Sequence, residues 1–368
     1  MENSHGLLSP PTMGLDEATS EASESLSEYF VALYYCYVSI EHVAEQVEWQ
    51  KETCEALGLF GRIRVSVEGL NGVLSGTRSH LRLYEDQLRM RVGDDTELDV
   101  KYCPLRSDLA ATDQLFTHLS VKATAHVVSL IPNESHDDQL RAIYHQAMEQ
   151  QRPATHLDPL AWNQAIAEAP NPILVDCRNV YESNVGHFEG ALLTNTRQYS
   201  ELPRVLLDQA PRLQEASHVF MYCTGGVRCE RASQFLQQVL PEQKIYQLHG
   251  GIQRYMESEH ATLYRGKNFV FDPRRYDPQA EATIVGRCVV CNTPHDDYDL
   301  GAAPSTDRAS RCVNCRILIL VCPECRTKVQ CWGDDDINER PRLTCGGIHR
   351  DCIRIPPPQV AKRDTVAT

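Results

Sequence analysis

The chain has 368 residues, 42% apolar and 23% charged, with a formal net charge of −14. That length serves two or three small domains. The ordinary Gly and Pro counts exclude a collagen-like chain, and no window approaches the ~18 consecutive apolar residues of a membrane span. The charge is uneven: residues 1–170 hold 26 acids and 12 bases, and residues 171–368 hold 24 of each. Phosphate contacts need Lys and Arg, so the acidic half is expected to repel a polyanion, and any basic surface is expected in the neutral half.

Residues 1–28 are rich in Ser, Glu and Pro and are expected to be a disordered acidic tail. Met1–Ser27 carries no Lys, no Arg and no apolar block, unlike a secretory or transit leader. The aromatic and β-branched run YFVALYYCYV (Tyr29–Val38) predicts a buried strand. Val43, Val47, Cys54 and Leu57 predict one helix face, and RIRVSVEG (Arg62–Gly69) alternates as a strand before the turn GLNG (Gly69–Gly72). A helix near Ser79–Met90 and strands at Leu98–Tyr102 and His118–Leu130 complete a β-α-β-β-α-β order. That order predicts a ferredoxin-like, acylphosphatase-like α+β domain over residues 29–131. Residues 132–168 read as a linker. NPILVDCRN (Asn171–Asn179), HVFMYC (His218–Cys223) and KIYQLHGG (Lys244–Gly251) are short apolar strands alternating with helices, which predicts an α/β parallel-sheet domain over 169–270. A Cys-rich segment (281–354) and a disordered tail (355–368) follow.

The strongest catalytic signal is MYCTGGVRCERAS (Met221–Ser233). Cys223 ends an apolar strand, Thr224, Gly225 and Gly226 form a loop, and a helix opens at Val227. A thiol there meets the unpaired N–H groups of a helix N-terminus, which favour its anion, and Arg228 adds positive charge. The pattern predicts a nucleophilic thiolate in an anion cradle, against the plainer reading of a core Cys before a Gly turn. Cys229 is a candidate resolving thiol or a packed residue, and Cys177 reads as core.

The loop resembles the six-residue active loop of rhodanese domains, and ILVDCRNVYESNVGHFEGAL (Ile173–Leu192) resembles their first signature. By that likeness Cys223 carries a persulfide, loop amides cradle its outer sulfur, and Asp176, Arg178 and His187 hold the loop architecture. Cys-dependent phosphatases place Arg six positions after the Cys, where this chain has Cys229. The region Tyr29–Cys352 is similar to the TrhO/YceA family of rhodanese-like tRNA uridine hydroxylases, through VEGLNG (Val67–Gly72) and the loop Tyr222–Ser233. The resemblance implies a rhodanese domain over 169–270 and oxygen-dependent 5-hydroxylation of the tRNA wobble uridine, with molecular oxygen as co-substrate. The odd cysteine count without a secretory signal points to a cytosolic or nuclear compartment, the cytoplasm being expected. The chain departs from the family pattern in its acidic tail, in Leu70 where Ile is usual, and in an insert at Asp299–Arg311. A sulfurtransferase fed by a small sulfur donor such as thiosulfate, and a non-catalytic zinc adaptor, are the alternatives. No nucleotide-cofactor motif is seen.

Of 15 cysteines, nine lie at or after Cys288. An odd count without a secretory signal points to reduced thiols or metal ligands. Cys288-x2-Cys291, Cys312-x2-Cys315 and Cys322-x2-Cys325, followed by Cys331, Cys345 and Cys352, have the spacing of structural zinc sites. Two ions are expected, one on Cys288, Cys291, Cys312 and Cys315, the other on Cys322, Cys325 and two of the last three; crossed pairing is the alternative. Arg254–Arg275 mixes five bases with aromatics and is the expected RNA surface, through Arg265, Lys267, Arg274 and Arg275.

Overall fold

The computed structural model describes residues 28–93, 95–107, 109–131, 137–277, 283–298, 311–312 and 315–330. The two tails, most of the Asp299–Arg311 insert, and Cys331, Cys345 and Cys352 lie outside the described residues.

The first domain runs β1 (Tyr29–Tyr37), α1 (Val43–Ala56), β2 (Phe60–Ser66), β3 (Gly69–Thr77), α2 (Arg78–Val92), β4 (Asp99–Pro104) and β5 (Leu119–Ala123). Its sheet has the order β4-β1-β3-β2-β5, antiparallel except where β5 runs beside β2. The expected β-α-β-β-α-β core is therefore present, with β5 added at one edge. Strand alternation separates two faces. Ala32, Tyr34, Cys36, Ile63, Val65 and Leu74 pack under the two helices against Cys54, Leu81 and Leu88. Tyr35, Arg62, Arg64 and Lys101 project from the opposite face toward the second domain. The hairpin between β2 and β3 needs glycine at Gly69, where φ is +142° and a Cβ would strike the Cys36 carbonyl.

The second domain adds α3 (Asp138–Gln150), β6 (Thr155–Leu157), α4 (Pro159–Glu168), β7 (Pro172–Asp176), α5 (Val180–Ser183), β8 (Gly186–Phe188), β9 (Leu192–Leu193), α6 (Leu202–Gln214), β10 (His218–Tyr222), α7 (Val227–Val239), β11 (Ile245–Leu248), α8 (Gly251–Glu257) and β12 (Tyr264–Gly266). Its sheet is parallel throughout, in the order β6-β11-β10-β7-β9. One face packs on α3, α6 and α7 through Leu140, Leu206 and Phe235. The other packs on α4 and α8 through Trp162, Phe220 and Tyr255.

The 132–168 segment differs from its reading as a linker. Leu140, Tyr144 and Ala147 of α3 are buried in the core, and β6 pairs with β11. Its polar composition reflects the solvent face of amphipathic helices, whose apolar stripes are only three or four residues wide.

Two turns of matching form follow, around Cys288–Cys291 and Cys312–Cys315. Cys288 and Cys312 donate backbone N–H to Thr293 and Ile317 at 2.9 Å, and Asn292 and Arg316 both have φ +61°. A helix, Pro323–Gln330, then starts beside Cys322.

Candidate active site and metal centre

Cys223 follows β10 directly and is fully buried. The turn into α7 brings the Gly226 N–H to 3.2 Å from its Sγ. Burial alone would raise the thiol pKa. A hydrogen bond from the Cys229 thiol, the Arg228 charge and the Cys229 and Arg228 N–H groups outweigh it, bringing Cys223 down to about 5. The arrangement favours the thiolate form of Cys223 at neutral pH. Cys229 is itself buried, and burial with its bonds to Cys177 and Cys223 keeps it protonated.

Arg228 donates to both oxygens of Glu182 at 2.8 and 2.7 Å and to Thr224 Oγ1 at 3.0 Å. The Thr224 hydroxyl donates to Glu182 Oε1 at 3.1 Å. Glu182 also accepts the Asn179 N–H at 3.1 Å in a capping box, so one carboxylate fixes the start of α5 and clamps the loop. From behind, the Ile252 and Gln253 N–H groups donate to the Cys223 and Thr224 carbonyls at 3.0 Å. Only glycine fits at Gly251, where φ is +67° and a Cβ would lie 2.6 Å from the Cys223 oxygen.

Asp176 and Arg178 form a fully buried pair at 2.7 Å, and Tyr222 donates to Asp176 at 3.0 Å. His187 Nδ1 lies 2.8 Å from the Ser183 carbonyl. These bonds brace β7, β8 and β10 rather than reach the sulfur.

The open sheet face of the first domain lies across the loop. Tyr35 donates to Glu230 at 3.1 Å, Tyr37 to the Val227 carbonyl at 3.2 Å, and Arg231 meets Glu68 of the VEGLNG turn at 2.6 Å. Between the domains is a cavity of about 570 Å³. Thr224, Gly225, Val227 and Arg228 form one wall, Arg62, Arg64 and Lys101 the other, and Phe271 stands at its side.

Three family models cover this architecture: an "UPF0176 acylphosphatase like domain" over 29–127, a "Rhodanese-like domain" over 160–258 and a "Rhodanase C-terminal" domain over 265–334. A protein of an aster yellows witches'-broom phytoplasma, named tRNA uridine(34) hydroxylase, is 34% identical over 78% of this chain and 88% of its own length. One from Listeria monocytogenes with the same name is 31% identical over 74% of this chain and 80% of its own. The chain belongs to the tRNA uridine(34) hydroxylase family. An Arabidopsis thaliana relative, "Rhodanese-like domain-containing protein 6", is 33% identical over 83% of this chain, which spans about half (52%) of that longer protein.

In this family member the expected RNA surface is largely spent on internal ion pairs. Arg274 is fully buried, bound to Asp272 at 2.8 Å and to the Pro104 carbonyl at 3.2 Å, so it faces the domain junction and not a ligand. Lys267 pairs with Asp296 at 2.9 Å, and exposed Arg265 with Glu189 at 3.3 Å. Arg275 is exposed. The sequence reading missed Glu182, Tyr35, Arg62 and Arg64. The Asn179-x-x-Glu182 spacing was a legible capping signal. The Arg-Ile-Arg-Val alternation placed both arginines on one face.

The metal pairing also differs. Sulfurs of Cys288, Cys291, Cys322 and Cys325 all lie within 4.8 Å of one another. A tetrahedral site with Zn–S near ~2.3 Å spaces its sulfurs by about 3.8 Å, so this donor set fits a closed four-thiolate zinc site. The first turn thus pairs with the helix start, not with Cys312 and Cys315. The chain reverses between Arg311 and Leu318 and then runs beside the first turn, where Val289 donates its N–H to the Leu320 carbonyl at 2.9 Å and Cys322 donates its N–H to Cys288 Sγ at 3.4 Å. The described residues contain no helix long and apolar enough to cross a membrane.

Proposed function

We propose that this protein hydroxylates C5 of uridine 34 in tRNA, in the cytoplasm, with Cys223 as its nucleophile and molecular oxygen as oxidant. The observation that carries the reading is a buried Cys223 sulfur held by the Gly226 N–H at the start of a helix, under a two-domain cleft, in a chain matching relatives so named over most of its length. In the net reaction C5–H becomes C5–OH and the second oxygen atom leaves as water. An external two-electron reductant of the thiol class supplies two electrons and two protons. The chain's own residues hold the thiolate: Gly226 and the first-turn N–H groups solvate it, Cys229 keeps a proton beside it, and Glu182 fixes the loop. Persulfide transfer on Cys223 is the competing use of the same cradle.

Zinc on Cys288, Cys291, Cys322 and Cys325 would be structural, since four thiolates leave no open position. The second turn would hold another ion through Cys312, Cys315 and two of Cys331, Cys345 and Cys352, making about two zinc ions.

Cells lacking the gene, complemented with wild type or Cys223→Ser, test the function through mass spectrometry of tRNA nucleosides. Wild type should restore 5-hydroxyuridine-type nucleosides and the variant should not. Wild type that restores none, yet moves sulfur efficiently from thiosulfate, would establish the sulfurtransferase instead.

A further inference from the structure

The mouth of the cleft gathers guanidinium groups that the Cys223 loop does not use. In β2, Ile63 and Val65 point into the core while Arg62 and Arg64 reach the open face. Arg62 is pinned: it lies 5.2 Å over the Phe116 ring and donates to the Phe271 carbonyl. Arg64 is exposed, and its side chain has no ion-pair or hydrogen-bond partner among the described residues. Arg275 is exposed on the Val270–Arg275 turn whose Phe271 carbonyl Arg62 binds, and its charge acts on Arg62. Burial, and then the charges of Arg275 and Arg64, hold Arg62 below its ordinary pKa, against the upward pull of Asp272. Asp272 offsets part of the repulsion among these like charges, and an entering anion would offset more of it. Beside them Phe271 keeps 44% of its surface exposed, with Arg228 5.6 Å from its ring centre. The cavity volume lies in the ~300–1,000 Å³ range of small-ligand pockets, so it admits one extruded nucleotide and not a duplex.

We infer that Arg62, Arg64 and Arg275 form a phosphate-binding rim that grips a single RNA strand on either side of the target nucleotide, with Phe271 stacking on its base. The inference rests on the tRNA reading and supplies the residues that would recognise that substrate. It places the main RNA contacts on the first domain, in the acidic half, where bulk charge pointed away from them. A local cluster at the site outweighs net charge because exposed charges beyond a Debye length of about 8–10 Å are largely screened.

The test uses the full chain and a fluorescent anticodon stem-loop with unmodified uridine, followed by anisotropy over a salt series. Arg64→Gln should weaken binding roughly tenfold at low salt, and each phosphate left without its arginine should lower the slope of log affinity against log salt by about 0.7 for a single strand. Adding Arg275→Gln should lower it again, Arg64→Lys should restore most of it, and Phe271→Leu should weaken binding at unchanged slope. The Cys223 thiolate absorbance should stay as in wild type throughout, showing that the loop is intact. Wild-type affinity and slope in the arginine variants would overturn the rim while leaving the tRNA reading standing, and unchanged affinity in Phe271→Leu would overturn the stacking. A wild-type chain that neither binds the stem-loop nor modifies tRNA would remove the reading itself.

Discussion

At the scale of single residues, the site turns on how a buried sulfur stays charged. Burial pushes the Cys223 thiol up, yet three N–H donors, one thiol and one guanidinium bring it to about 5 from an ordinary 9.0. Arg228 is not the sole cause, because Glu182 binds both of its terminal nitrogens. The direction fixes a pH window. A depressed folded pKa contributes stability that is fully present above the ordinary thiol value and is lost as pH falls through about 5. Thiolate absorbance should therefore show a transition centred near pH 5 in wild type and lack it in Cys223→Ser. A transition near the ordinary thiol value would remove the activated nucleophile from the account. Much of this was legible in the sequence: strand, Cys, two Gly, Arg and helix define the cradle by themselves. The capping role of Glu182 was legible too, but its clamp on the loop was not, because Thr224 and Arg228 are 42 and 46 positions away and only the fold brings them together.

At the scale of elements, the Cys-rich segment and the active loop are mechanically joined. Val180 of α5 packs among Cys288, Cys312, Ile317 and Val321, and Tyr298 donates to the Tyr181 carbonyl at 2.9 Å. Two positions on, the same short helix presents Glu182 to Arg228. Structural zinc supplies folding energy to segments with small cores, so chelation should loosen α5 as well as the cysteine turns. We expect slow chelation to release about two zinc ions and, in parallel, to raise the Cys223 transition toward the ordinary thiol value. Metal loss that leaves the Cys223 transition in place would separate the two. CxxC spacing revealed these elements but not their pairing, since three equivalent CxxC units are compatible with several pairings until chain reversal is known. The 132–168 segment was misread for a related reason: two short helices and a three-residue strand look like a connector until the sheet that covers them is seen.

At the scale of the whole molecule, neither domain holds the site alone. Cys223, Arg228 and Phe271 come from the second domain and its extension, whereas Tyr35, Arg62, Arg64 and Lys101 come from the first. The VEGLNG turn, legible only as a hairpin and a family likeness, acquires a physical role as a dock: Glu68 meets Arg231, and Arg231 lies 4.0 Å over the Tyr37 ring. The domain order was readable from periodicity, but the interface was not, because the open face of a ferredoxin-like sheet alternates like any half-buried strand. Net charge averages over the whole surface, whereas the cleft wall of the acidic first domain carries Arg62, Arg64 and Lys101. In the proposed reaction, this cleft delivers a uridine to Cys223 for oxidation by molecular oxygen. Its most direct test incubates the full chain with unmodified tRNA and a thiol reductant under oxygen-18 gas in ordinary water, then weighs the released nucleosides. One heavy oxygen atom is expected in the new hydroxyl of the wobble uridine, dependent on Cys223. A hydroxyl carrying only light oxygen from water, or the same product from Cys223→Ser, would contradict it.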